Sequence, residues 1–153
     1  EGLPEKSPQD AFSPEGNIKK SIYQDNKRMG KGWFQTSEET LRESFHTFET
    51  KLPYIHKGWF EETLPQSLPE KISFAHLDGD LYESTLVSLE NIYPKMAIGA
   101  IAVIDDYCDM DIHERTNALP GVKKACDIFF SDKPESVEVL AAGVQYQSYF
   151  IKK

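Results

Sequence analysis

Two periods of apolar residues alternate along this chain, and together they predict its elements. Lys71 to Leu77 is a strand-like run rich in apolar residues and Ile98 to Ile104 a nearly continuous apolar one, the patterns of strands in a sheet. Between them, Tyr82 to Tyr93 is amphipathic with a helical period. A strand, a helix and a strand of these lengths form a βαβ unit, whose right-handed crossover makes the two strands parallel. Pro94 and Gly99 suit a helix stop and a tight connection into the second strand. Further on, Gly121 to Phe130 predicts a helix with Val122, Ala125, Cys126 and Phe129 on one face. Val137 to Leu140 and Gln145 to Ile151 alternate around Ala141-Ala142-Gly143, the pattern of a β-hairpin.

The first third of the chain is less regular. Residues 1 to 32 carry three prolines and four glycines without a sustained apolar period, so they read as loop. Ser37 can cap a helix in which Thr40 to Phe48 places Leu41, Phe45 and Phe48 on one face. A short strand is expected at Tyr54-Ile55-His56, closed by Gly58-Trp59-Phe60. Glu61 to Leu64 is expected to form at most a helical turn before Pro65 and Pro69. Lys-Gly-Trp-Phe occurs at both Lys31 to Phe34 and Lys57 to Phe60, but the sequences that follow differ, so it reads as coincidence and not as a repeat. The fold class is α/β, a mostly parallel sheet with an antiparallel C-terminal hairpin. So few parallel strands are thin for such a sheet. Residues 1–153 are therefore expected to be one partial domain, the C-terminal part of a larger one that lacks its first strands.

The apolar runs also end in chemistry. Asp78-Gly79-Asp80 closes the first strand and Asp105-Asp106-Tyr107 the second. In parallel strands both clusters emerge at the C-terminal edge of the sheet, where open α/β folds bind ligands. Asp78, Asp105 and Asp106 could converge there, and three carboxylates that repel one another suit a hard cation, Mg²⁺ or Ca²⁺. The plainer reading, that Asp ends strands well and faces water, accounts for one such cluster better than for two flanking one helix. His76, at the end of its strand, is expected to point into the structure. No Gly-x-Gly-x-x-Gly motif follows a strand, and no P-loop is present.

Composition narrows the partners. The formal net charge of -8 argues against a nucleic-acid or anionic-membrane surface. No apolar run approaches the roughly 20 residues that span a bilayer, and the start of the sequence shows neither half of a signal peptide. A cytoplasmic location is expected, with Cys108 and Cys126 as reduced thiols.

His76-Leu77-Asp78-Gly79-Asp80-Leu81-Tyr82-Glu83-Ser84-Thr85, followed by Ile104-Asp105-Asp106-Tyr107, resembles the macrocin O-methyltransferase family. Glu1-Gly2-Leu3-Pro4, Lys57 to Pro65 and Gly121 to Asp127 are similar to further family segments in the same order. The resemblance implies a Rossmann-like methyltransferase that uses S-adenosylmethionine and Mg²⁺ to methylate a hydroxyl of a sugar or other natural product. By matching positions it implies Asp78, Asp105 and Asp106 as metal ligands and Gly58, Trp59 and Phe60 near the adenine. His113, in the loop from Asp109 to Leu119 where the acceptor would sit, is the candidate general base. The expected partner is a small-molecule hydroxyl acceptor, with no nucleic acid and no membrane, and a homo-oligomer is left open. The family's first two strands and the Gly-rich cofactor loop would precede Glu1, so cofactor binding by these residues alone is expected to be weak.

Two other readings compete. Asp78-Gly79-Asp80 superficially matches the Asp-x-Asp nucleophile of haloacid-dehalogenase-type phosphatases, though Tyr82 stands where those enzymes carry Thr or Val. A fragment that keeps the sheet edge but performs no chemistry is the third.

Overall fold

The computed structural model describes residues 2–12, 30–109, 112–113, 118–143 and 145–153. Four helices and four strands follow in the order α1 (Glu38–Thr47), α2 (Phe60–Ser67), β1 (Ile72–Leu77), α3 (Tyr82–Ile92), β2 (Met96–Ile104), α4 (Pro120–Phe130), β3 (Glu138–Ala142) and β4 (Gln145–Ile151). The strands form one sheet in the order β1-β2-β4-β3. β1 and β2 are parallel across the α3 crossover, with Leu77 opposite Ile104, so both acidic clusters leave the same edge. β4 runs antiparallel to β2 and pairs with β3 as the hairpin.

One face of the sheet makes the core. Alternate residues Ala100, Ala102 and Ile104 of β2 and Phe150 of β4 are buried with Leu89 and Ile92 of α3 and Val122, Cys126 and Phe130 of α4. Tyr93, Phe129, Phe130 and Phe150 pack mostly edge to face beside them, a favoured arrangement for aromatic rings. The intervening residues Phe74, Ile101 and Ile151, paired in one row across the sheet, are exposed on the other face. Cys108 and Cys126 are buried free thiols whose pKa burial raises, to about 11 and about 12. No helix among the described residues is long and apolar enough to cross a membrane.

The elements differ from the sequence reading at four places. Gly99 lies not in a connection but inside β2, at φ +82, where the β1–β2 register shifts. Its N–H donates to the Lys152 carbonyl at 2.7 Å, so a left-handed residue that glycine adopts freely carries the bulge. The expected strand at Tyr54-Ile55-His56 does not form: three residues without a partner strand cannot satisfy their backbone, and Tyr54 is left exposed. The expected turn at Glu61 to Leu64 is instead the two-turn helix α2, which continues past Pro65. Pro65 removes one donor, and the Thr63 and Ser67 hydroxyls bond back to the Trp59 and Thr63 carbonyls at 2.9 and 2.5 Å. In α1, Ser37 caps the Thr40 N–H at 3.1 Å, but Leu41 and Phe48 are exposed and no residue of the helix is buried.

Candidate active site

A cavity of about 640 Å³ opens beside the C-terminal edge of β1. One wall is the backbone of residues 2–5. It is held by the Leu3 N–H donating to the Trp33 carbonyl and the Gly32 N–H donating to the Leu3 carbonyl, both at 2.9 Å. Gly2 sits at φ +76, and a Cβ there would come within 2.6 Å of the Gly32 and Trp33 backbone, so only glycine fits this approach. Gly58, Trp59 and Phe60 form a second wall, with both aromatic rings partly open to the space. The floor is the loop Asp78-Gly79-Asp80-Leu81 and the first turns of α3, with Glu83, Ser84 and Val87.

That loop carries the charge. Carboxylate oxygens of Asp78, Asp80 and Asp106 lie within 4.8 Å of one another. Asp80 and Asp106 both hold left-handed backbone, at φ +56 and +60. Asp tolerates that conformation better than most residues, and such strain concentrates at functional sites. Burial is the main cause that raises the pKa of Asp78, the Asp105 charge adds to it, and His76 opposes it. Burial and the charge of Asp78 lift Asp80 to about 6, against a lowering by its hydrogen bond with Asp106. An all-oxygen set that resists its own ionisation is one that a hard divalent cation would relieve.

Of the metal ligands expected from the sequence, Asp78 and Asp106 belong to this trio. Asp105 turns instead to His76, with His76 Nε2 and Asp105 Oδ1 2.9 Å apart. His76, expected to be buried, has a half-exposed side chain, because alternation along β1 puts it on the open face with Phe74. His113 does not line the cavity: its ring lies on that of Tyr146, with centroids 4.4 Å apart, and its N–H donates to the Asp109 carbonyl. The sequence reading passed over two residues. Asp80 stands two positions from Asp78 in the same acidic loop, so its signal was present in the sequence. Asp10 lines the same cavity while buried, and its partner Tyr82 is 72 positions away, so no local pattern could reveal it.

The macrocin-O-methyltransferase (TylF) family model matches residues 5–127. The chain belongs to this family. Among relatives, it is 38% identical over 73 residues to the demethyldecarbamoylnovobiocin O-methyltransferase of Streptomyces niveus, covering 46% of this chain and 28% of that protein. It is 48% identical over 50 residues to the 8-demethyl-8-(2,3-dimethoxy-alpha-L-rhamnosyl)-tetracenomycin-C 4'-O-methyltransferase of Streptomyces olivaceus, covering 33% and 19%. With the mycinamicin III 3''-O-methyltransferase of Micromonospora griseorubida it shares 41% over 51 residues, covering 33% and 20%. The fold matches those of the O-methyltransferase NovP, with a TM-score of 0.63 at 24% identity, and the calicheamicin methyltransferase CalS11, with 0.66 at 20%. These matches cover 99% and 98% of this chain but 56% of each solved chain, so the chain spans little more than half the length of its structural relatives. Family and fold agree with the Rossmann-like α/β reading, the parallel part being the β1–β2 pair.

Proposed function

We propose that the protein of which these residues are part is an S-adenosylmethionine-dependent, Mg²⁺-dependent O-methyltransferase acting on a hydroxyl of a sugar-bearing natural product. The observation that carries this reading is one cavity that joins the aromatic wall of Trp59 and Phe60 to Asp78 and Asp80, two of the three clustered carboxylates. The family and the activities named for the relatives, one of them on a rhamnosyl-bearing tetracenomycin, support the same reaction class.

The residues suit both groups. Trp59 and Phe60 give a flat apolar surface for an adenine, and Gly2 and Gly58 let the two walls pack against Gly32, Trp33 and Thr63 without a Cβ in the way. Asp78, Asp80 and Asp106 offer only hard oxygen donors, as Mg²⁺ requires. When bound, the cofactor supplies an electrophilic methyl group, and the metal lowers the pKa of an acceptor hydroxyl and fixes its direction. The chain's own part is to position and to take a proton. Asp78 lines the cavity, and Asp106 joins the same carboxylate cluster from the end of β2. Burial and the charge of Asp78 raise Asp80 to about 6 in the cation-free protein, and a bound cation would favour its ionised, proton-accepting form. Asp105 and His76 form a hydrogen-bonded pair behind the trio.

The test is methyl transfer from labelled S-adenosylmethionine by the full-length protein, with Mg²⁺ and with a chelator, comparing wild type with Asp78→Asn. Metal binding and methyl transfer should fall together in the variant. Hydrolysis of phosphate esters through an acyl-phosphate at Asp78, with S-adenosylmethionine untouched, would overturn the reading in favour of a phosphatase.

A further inference from the structure

α3 has no capping side chain of its own. Its N-cap residue is Leu81, which offers nothing to the free N–H groups of the first turn. The cap comes from far upstream: Asp10 Oδ1 accepts from the Tyr82 N–H at 2.7 Å. The other oxygen, Oδ2, accepts from the Ser7 N–H at 2.8 Å and the Ser7 hydroxyl at 2.7 Å. The carboxylate is buried, and a Cβ on Gly121 would fall on its Oδ1. Asp10 therefore clamps three pieces at one point: residues 7–10, the first turn of α3, and the start of α4.

The place of this clamp matters more than its strength. Tyr82 follows directly on Asp78-Gly79-Asp80-Leu81, the loop that brings Asp78 and Asp80 to the trio. Residues 2–5, just ahead of Ser7, form a wall of the same cavity. Of the cavity-lining side chains whose hydrogen bonds are described, Asp10 is the one that ties the chain after this wall to the residue that follows the floor loop.

We propose that Asp10 is a positioning residue that couples the cavity wall at residues 2–5 to the carboxylate trio, so that cofactor and cation each tighten the other's binding through it. The proposal rests on the functional reading above. It predicts reciprocal linkage: whatever factor the cofactor adds to cation affinity, the cation adds to cofactor affinity.

The experiment titrates the full-length protein with Mn²⁺ by electron paramagnetic resonance, with and without S-adenosylhomocysteine. Asp10→Asn is the informative variant, because its amide NH₂ meets an N–H donor at Ser7 or at Tyr82 whichever way it is turned. Expected is about tenfold weaker Mn²⁺ binding, the scale of lost outer-shell support at metal sites, with loss of a roughly fivefold tightening by S-adenosylhomocysteine in wild type. A folded Asp10→Asn protein with wild-type Mn²⁺ affinity and wild-type coupling overturns the proposal. Should that variant not fold, Ser7→Ala decides, since it removes one hydroxyl donor and leaves the Tyr82 cap in place. Two- to threefold weaker Mn²⁺ binding with reduced coupling supports the clamp, and unchanged values overturn it. Wild-type protein that takes up neither ligand overturns the functional reading itself, a result visible without any variant.

Discussion

Alanine at position 121 sets helix propensity against tertiary packing, and the structure says which wins. Gly121 is the second residue of α4, and alanine is the better helix former by up to about 1 kcal/mol. A Cβ at this position, however, would fall on Asp10 Oδ1 and lie 2.9 Å from the backbone N of Tyr82. Either Asp10 leaves the first turn of α3 or α4 moves away from it. Losing the cap costs about 1 kcal/mol, and forcing extra atoms into a packed site typically costs about 1–3 kcal/mol. Set against the propensity gain, Gly121→Ala should destabilise by about 2 kcal/mol, and thermal unfolding should shift down by about 4–8 °C for a chain of this size. The same substitution in an Asp10→Ala background should cost less, with a coupling of about 1 kcal/mol or more. Part of the cost persists there, because the Tyr82 contact is with backbone. A Gly121→Ala protein that melts with or above wild type, or strict additivity in the double variant, would refute the packing argument.

Two further outcomes follow from the shifted carboxyls. Burial and the neighbouring Asp78 raise Asp80 to about 6, so its contribution to stability is whole below pH 3.8 and is lost as pH rises through about 6. Asp80→Asn should therefore stabilise the cation-free protein at pH 7, by about 1–2 kcal/mol once its partial exposure is discounted, and not at pH 3.5. Urea unfolding in chelator at both pH values checks this, and a variant weaker than wild type at pH 7 contradicts it. Glu135 shows the opposite sign. Burial alone would raise it, but hydrogen bonds from the Lys153 N–H at 2.9 Å, the Tyr93 hydroxyl at 2.8 Å and Lys152 Nζ at 3.1 Å outweigh burial and hold it down at about 2. Its stabilisation is present above pH 4.5 and lost as pH falls towards 2. Wild type should exceed Glu135→Gln by about 2 kcal/mol at pH 7, a discounted figure because the lysines reach solvent. Urea midpoints of the two proteins should converge between pH 4.5 and pH 2, and a constant gap would count against the assignment.

The βαβ unit and the hairpin were legible in the sequence because their information is local. Ile72–Leu77 and Met96–Ile104 are apolar enough to be buried strands wherever they pair, and Tyr82–Ile92 has one face to bury. The acidic loops were legible for the same reason, since an Asp at a strand end declares itself. Where the reading departed from the structure, the deciding partner lay elsewhere. Tyr54-Ile55-His56 has strand residues but no strand beside it, and α2 runs through Pro65, which costs it one donor, with Thr63 and Ser67 hydroxyls bonded to carbonyls of the same helix.

The sequence by itself determined the βαβ unit, α4 and the hairpin, since apolar period and turn residues act over a few positions. It also determined that carboxylates crowd one sheet edge, since strand direction follows from the crossover. Only the tertiary structure decided which carboxylates meet. The left-handed backbone at Asp80 and Asp106 turns these two toward Asp78, while the open face of β1 gives Asp105 to His76. It alone decided the role of Asp10, whose partners Tyr82 and Gly121 come from two other helices. Such contacts rest on packing across more than 70 residues, a distance at which no period in the chain carries information.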